Sequence, residues 1–189
     1  NVTVAIIDVG VDIFNPDLAD NIWTNVGEIA GNNIDDDKNG YIDDMHGWNF
    51  VEGNNDISIP VILESDDSGA IHHGTVLAGL IGEKGDNNLL GAGLNWNVKI
   101  MPVRAIDNGG GGVLLDIAKA VNYAVENGAD IISISFVGFT TYSDLTAALY
   151  NAYNKGVLVV AAAGNSRNDS SGNENLTKVK QYPICLDWD

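Results

Sequence analysis

Three short stretches carry groups that together suit acyl transfer. "AIIDVGVD" ends an apolar run in Asp8, with Gly10 letting the chain turn away. "HHGTVLAG" offers His73 at a helix start, with Gly74 allowing close approach. "AAAGNS" leaves another apolar run at Asn165, whose side-chain amide can donate a hydrogen bond. A carboxylate orients an imidazole, the imidazole acts as general base, and an amide stabilises an oxyanion. Each residue has a plainer role. Aspartate after a strand and asparagine after glycine are common turn formers, and a lone histidine is often structural. Asp12 and His72 compete for the same roles. The combination and its order carry the reading.

A second stretch, "IDDDKNGYIDD" (34–44), packs five carboxylates into eleven positions. Asp35, Asp37, Asn39, Tyr41 and Asp43 alternate, with Gly40 among them, as oxygen ligands do in a loop that wraps Ca²⁺. The pattern is not an EF-hand, because its twelfth position is His46 rather than Glu. A hydrated turn is the competing reading. Asp86–Asn88 is a weaker second candidate. The cation reading expects chelation to lower the melting temperature.

These groups need a frame. Four runs rich in Val, Ile and Ala (Val2–Ile7, Val98–Val103, Asp130–Ser135 and Gly156–Ala163) lack clean alternation, as strands buried on both faces do. Helix-period segments separate them: His73–Ile81, Val113–Glu126 and Ser143–Asn154, the last with Ser143 as N-cap. The alternation predicts an α/β fold, a three-layer αβα arrangement on a mostly parallel sheet. In such sheets ligands bind outside the carboxyl ends of the strands, where Asp8 and Asn165 fall. Residues 15–68 are rich in Asn, Asp and Gly and read as a long functional loop, with short strands at Tyr41–Ile42 and Trp48–Phe50. "GGGG" (109–112) is a turn before a helix. It does not follow a strand in a GxGxxG spacing, which argues against a nucleotide-binding domain.

The chain has 189 residues and a net charge of −17. That charge repels a nucleic-acid backbone and suits cation binding. Cys185 is the only cysteine, so there is no internal disulfide and no cysteine metal site. No apolar run reaches membrane-spanning length.

The motifs, in their order, resemble the subtilisin-like serine proteases. "VAIIDVGVDIFNPDL", "HGTVLAG" and "GVLVVAAAGNS" are similar to the aspartate, histidine and oxyanion-asparagine segments of that family. "VKIMPVRAIDNGGGG" and "GADIISIS" match its intervening strands. The resemblance implies that Asp8 and His73 are triad acid and base, and Asn165 the oxyanion donor. It implies that Ser135, Phe136, Val137 and Gly138 pair with the substrate backbone. Ala162, Ala163 and Gly164 then line the pocket for the side chain before the scissile bond. A polypeptide substrate, structural Ca²⁺ and a secreted or extracellular location follow from the same resemblance.

Three departures stand out. Val9 replaces the usual Ser or Thr, Val76 replaces a second His, and "SFVG" replaces Ser-Leu-Gly. The family's nucleophile segment, Gly-Thr-Ser, does not occur in these residues. The expectation is therefore the N-terminal portion of one catalytic domain. It would have an acidic insertion at about 24–68 and a fold incomplete at its C-terminal side. Its serine would lie on a continuing or separate chain. The rival is a non-catalytic, calcium-stabilised binding module on the same fold.

Overall fold

A computed structural model describes residues 1–58, 72–89, 91–165, 176 and 179–186. Five strands, β1 (Thr3–Asp8), β2 (Trp48–Asn49), β3 (Lys99–Arg104), β4 (Ile131–Ile134) and β5 (Leu158–Ala161), form one sheet. Its order is β2-β3-β1-β4-β5 and every pairing is parallel. Three helices, α1 (His73–Gly82), α2 (Leu114–Glu126) and α3 (Ser143–Asn154), connect the four longer strands.

The winding follows from right-handed crossovers. From β1 through α1 the chain steps to β3 on one side. From β3 through α2 it crosses to β4, and through α3 to β5, travelling the other way. Opposite travel puts the helices on opposite faces. Residues of α2 (Ile117, Val121, Tyr123, Ala124) and α3 (Leu145, Ala148, Leu149, Ala152) pack on Ala5, Ile7, Met101, Val103, Ile132 and Ile134. On the other face, Ala78 of α1 packs with Val4, Ile6, Ile100, Val11, Leu18 and Ile22. The direction of winding changes between β1 and β4, so the carboxyl end of β1 lies at a switch point, where such sheets bind ligands.

The second face is covered unevenly. Leu158 and Val160 pair in register with Ile131 and Ser133 and stand 58% and 52% exposed. The α1 residues Val76 and Leu80 are also exposed. Apolar strand positions open to water on β4–β5 are unusual for a parallel sheet, which normally has both faces covered.

Most predicted elements appear within one or two residues. Two do not. Tyr41–Ile42 is not a strand. The Tyr41 ring instead packs edge-on against Trp48, Phe50 and Tyr123, at centroid distances of 5.1, 5.6 and 4.9 Å. Its apolar contacts produced the strand-like signal. Ser143 is the first helical residue of α3 rather than its cap; Tyr142 takes the cap position with no side-chain bond. Asp144 in the first turn complements the helix dipole there. Residues 59–68 of the predicted insertion lie outside the described residues, as do Ser166, Ser170 and Ser171, serines of the polar stretch after Asn165 that lack a helix-start context and are not expected to be the nucleophile.

Candidate active site

The last residue of β1 is Asp8, which is 2% exposed. A buried carboxylate must have partners. His73 Nδ1 lies 3.0 and 2.9 Å from its two oxygens, and the Val9 N–H donates to Oδ1 at 2.9 Å. The carboxylate only accepts, so Nδ1 carries the proton; in a neutral imidazole the lone pair is then on Nε2.

The approach of α1 to β1 requires Gly74. A Cβ there would overlap the Gly10 carbonyl oxygen and sit 3.2 Å from Asp8 Cβ. The Asp12 N–H donates to Thr75 Oγ1 at 2.9 Å, tying the exit of β1 to the same helix. These contacts separate the competing residues. Asp12 is exposed and accepts the Phe14 N–H, a turn role. His72 precedes the helix and is exposed. The His73 side chain is 45% exposed and opens on a pocket lined by Asp8, Val9, Ile106, Gly110 and Phe136.

Parallel strands put the other candidates on the same rim. Ser135 to Gly138 follow β4 and are half-buried; Gly138 exchanges two backbone hydrogen bonds of 2.9 Å with Tyr182. Ala162 N–H donates to the Ile134 carbonyl at 2.9 Å, which carries Ala162–Gly164 alongside that segment. Ala163, Gly164 and Asn165 are exposed at the end of β5. An apolar pocket borders this region, lined by Ile106, Leu114, Phe136, Gly138 and Tyr182 among others.

The profile of the Subtilase family matches residues 1–184. The chain belongs to the subtilase family. It is 33% identical over 190 residues to Subtilisin-like protease 1 of Plasmodium falciparum, covering 97% of this chain and 26% of that protein. It is 32% identical over 183 residues to the Major intracellular serine protease of Bacillus subtilis, covering 96% and 48%. A solved protease of Pseudoalteromonas arctica superposes with a TM-score of 0.67 at 25% identity, over 87% of this chain and 50% of that one. This subtilase chain thus spans a quarter to a half of the length of these relatives. One of them is intracellular by name, so family membership does not carry the expected secretion. Among the described residues no helix is long and apolar enough to cross a membrane.

The acidic loop meets α2 at Tyr123 and gathers a set of carboxylates other than the alternating one. Oxygens of Glu28, Asp37 and Asp44 lie within 4.8 Å of one another. Of the three carboxylates among the five expected ligands, Asp37 belongs to this group and Asp35 and Asp43 do not. Asn39 adjoins it, donating to Asp37 Oδ2 (3.2 Å) and Asp44 Oδ2 (3.1 Å). Asp35 accepts the Asn39 and Gly40 N–H groups, and Asp43 those of Gly31, Asn32 and Asn33. Tyr41 turns its ring into the aromatic cluster. Much of the crowding is therefore explained locally, by carboxylates capping backbone donors.

Glu28 and Asp44 were not legible from spacing. Glu28 accepts the N–H groups of Asp36, Asp37 and Asp43. Asp44 is fully buried and accepts from Asn25, Asn39 and the Tyr123 hydroxyl, the last at 2.6 Å. Burial pushes the Asp44 carboxyl up, against the pull of those hydrogen bonds. Burial, with the Asp44 charge beside it, pushes the Tyr123 hydroxyl far up, so it stays a donor. Replacing Tyr123 by Phe leaves a buried carboxylate short of a partner. The expected loss is about 1–3 kcal/mol in denaturant-measured stability, and a loss near zero would show that water replaces the hydroxyl.

Proposed function

We propose that this chain is the amino-proximal part of a serine endopeptidase catalytic domain, cleaving peptide bonds through an acyl-enzyme. The observation that carries the reading is the buried Asp8 carboxylate holding His73 Nδ1 at 2.9 Å, with Nε2 left for a nucleophile. In this reading Asp8 fixes the imidazole tautomer and stabilises the imidazolium once His73 takes the nucleophile's proton. His73 then returns that proton to the leaving amine. Asn165 donates to the oxyanion. Ser135 to Gly138 pair with the substrate backbone as an added strand.

The nucleophilic serine comes from a part of the protein outside these residues. The relatives' greater length supports this, and so does the apolar surface of Leu158, Val160, Val76 and Leu80, which further chain of the same domain would cover. The proposal includes Ca²⁺ on Glu28, Asp37 and Asp44. Their oxygen-only, anionic donor set fits a hard cation, which would neutralise the cluster and stiffen the loop. An extracellular setting fits that reading, since calcium modules outside cells work at affinities of about 10⁻⁴–10⁻³ M.

Fluorophosphonate labelling of the full-length protein, followed by mass spectrometry of the labelled peptide, tests the chemistry. The expected label is on a serine outside these 189 residues. No label on folded, calcium-loaded protein would favour the non-catalytic binding module.

A further inference from the structure

Three asparagines precede a glycine: Asn39, Asn108 and Asn127. In such pairs the glycine nitrogen can attack the asparagine side-chain carbonyl, because the glycine has no side chain to block the approach. Two groups speed that attack: a base on the attacking N–H, and a cation on the carbonyl oxygen as it turns anionic. Of the three, Asn108 alone has both. Asp107 Oδ1 accepts the Gly109 N–H at 2.8 Å. Arg104 Nη2 donates to Asn108 Oδ1 at 2.9 Å. A guanidinium only donates, so it is the carbonyl oxygen of the amide that faces it. Arg104 ends β3 and is 5% exposed, and its Nε has no hydrogen-bond partner. Its carboxylate neighbour Glu52 is exposed and 3.9 Å away. A buried guanidinium so weakly neutralised keeps its field for Asn108. Asn108 is itself exposed, so water reaches it.

The other two pairs lack this arrangement. Gly40 N–H also meets a carboxylate, Asp35 Oδ2 at 2.9 Å. Asn39 Oδ1, however, accepts only the neutral Tyr41 N–H, and its Nδ2 lies between Asp37 and Asp44, whose charges oppose an oxyanion. Asn127 Nδ2 donates to the Tyr123 carbonyl and Gly128 N–H to that of Val125, with neither acid nor cation on the pair. We propose that Asn108 is a site of self-catalysed deamidation, with Asp107 as the base and Arg104 as the oxyanion donor. The Gly109 nitrogen bonds to Asn108 Cγ as Asp107 takes its proton. The Cγ–Nδ2 bond then breaks, and ammonia leaves with that proton. Water opens the resulting ring at either carbonyl, to aspartate or to isoaspartate. In sum, one water is consumed and one ammonia released. An aspartate gives the buried guanidinium the carboxylate it lacks. An isoaspartate lengthens the backbone at the entry to the glycine loop, which lines the His73 pocket at Gly110. The reaction is independent of the endopeptidase reading.

Peptide mapping by mass spectrometry follows all three asparagines at once in folded full-length protein, treated with fluorophosphonate against self-digestion, and in the same protein held in urea. A fold ordinarily slows this reaction by fixing the backbone. Asn108 is expected instead to convert about tenfold or more faster in the folded protein than in urea. Asn39 and Asn127 are expected to convert more slowly when folded. Asp107→Asn and Arg104→Gln keep polar groups but remove the base and the charge. Each is expected to abolish the acceleration at Asn108 and leave the other two sites unchanged. Those two sites also report folding: if both run at their urea rates in Arg104→Gln, that variant has unfolded, and Asp107→Asn, a change at an exposed residue, decides. Asn108 converting no faster than in urea, or at the same rate in Asp107→Asn, overturns the proposal.

Discussion

Full-length protein carrying His73→Ala is expected to lose on the order of 10⁴–10⁶ in kcat while keeping its fold. The size follows from the chemistry. A serine hydroxyl is a weak nucleophile until a base takes its proton, and the leaving amine needs that proton back. His73 is the imidazole whose Nδ1 the buried Asp8 carboxylate fixes, so one truncation removes both transfers. The fold should survive, because the His73 side chain is 45% exposed and belongs to neither apolar cluster. Asp8→Asn is expected to cost about 10⁴ by favouring the wrong tautomer. It should also lower stability, since its amide sits 2% exposed among groups arranged for a carboxylate. Peptide hydrolysis with circular dichroism on the same samples reads both effects. Wild-type rates in His73→Ala would end the proposal that this histidine is the general base. Equal losses in His72→Ala would move the role one residue back.

The pair Asp8 and His73 was legible because each sits at a boundary that sequence marks well: the end of an apolar run and the start of a helical period. Parallel topology then brings such boundaries to one rim, whatever lies between. The acidic loop was less legible. Spacing reports only local geometry, and Asp35 and Asp43 cap backbone N–H groups of their own turns. Glu28 reaches the cluster from a separate turn, and Asp44 is fixed by Tyr123, 79 residues away on α2. One clue was available: a tyrosine on the buried stripe of a helix needs a partner for its hydroxyl.

Removing calcium is expected to lower the melting temperature by about 6–10 °C. That assumes a free ion at about 100 times its dissociation constant, worth about 2.7 kcal/mol, in a domain of this size. The pH dependence is more diagnostic than the shift. Burial raises the Asp44 carboxyl above its ordinary value in the folded chain. A group raised by folding favours the folded state when protonated. Its contribution is complete below the unfolded value and is lost as pH rises through the folded one. In excess EDTA the melting temperature should therefore fall across the upper carboxylate range as Asp44 ionises beside Glu28 and Asp37. With saturating calcium the ionised form is the one that binds, so the same rise in pH should strengthen binding. The two melting curves should diverge as pH rises above the ordinary carboxylate value. Asp44→Asn should remove most of the divergence, because it takes away the group that titrates in that window. Parallel curves, or melting that ignores EDTA at every pH, would mean that the carboxylates serve only as caps for the backbone of their own loop.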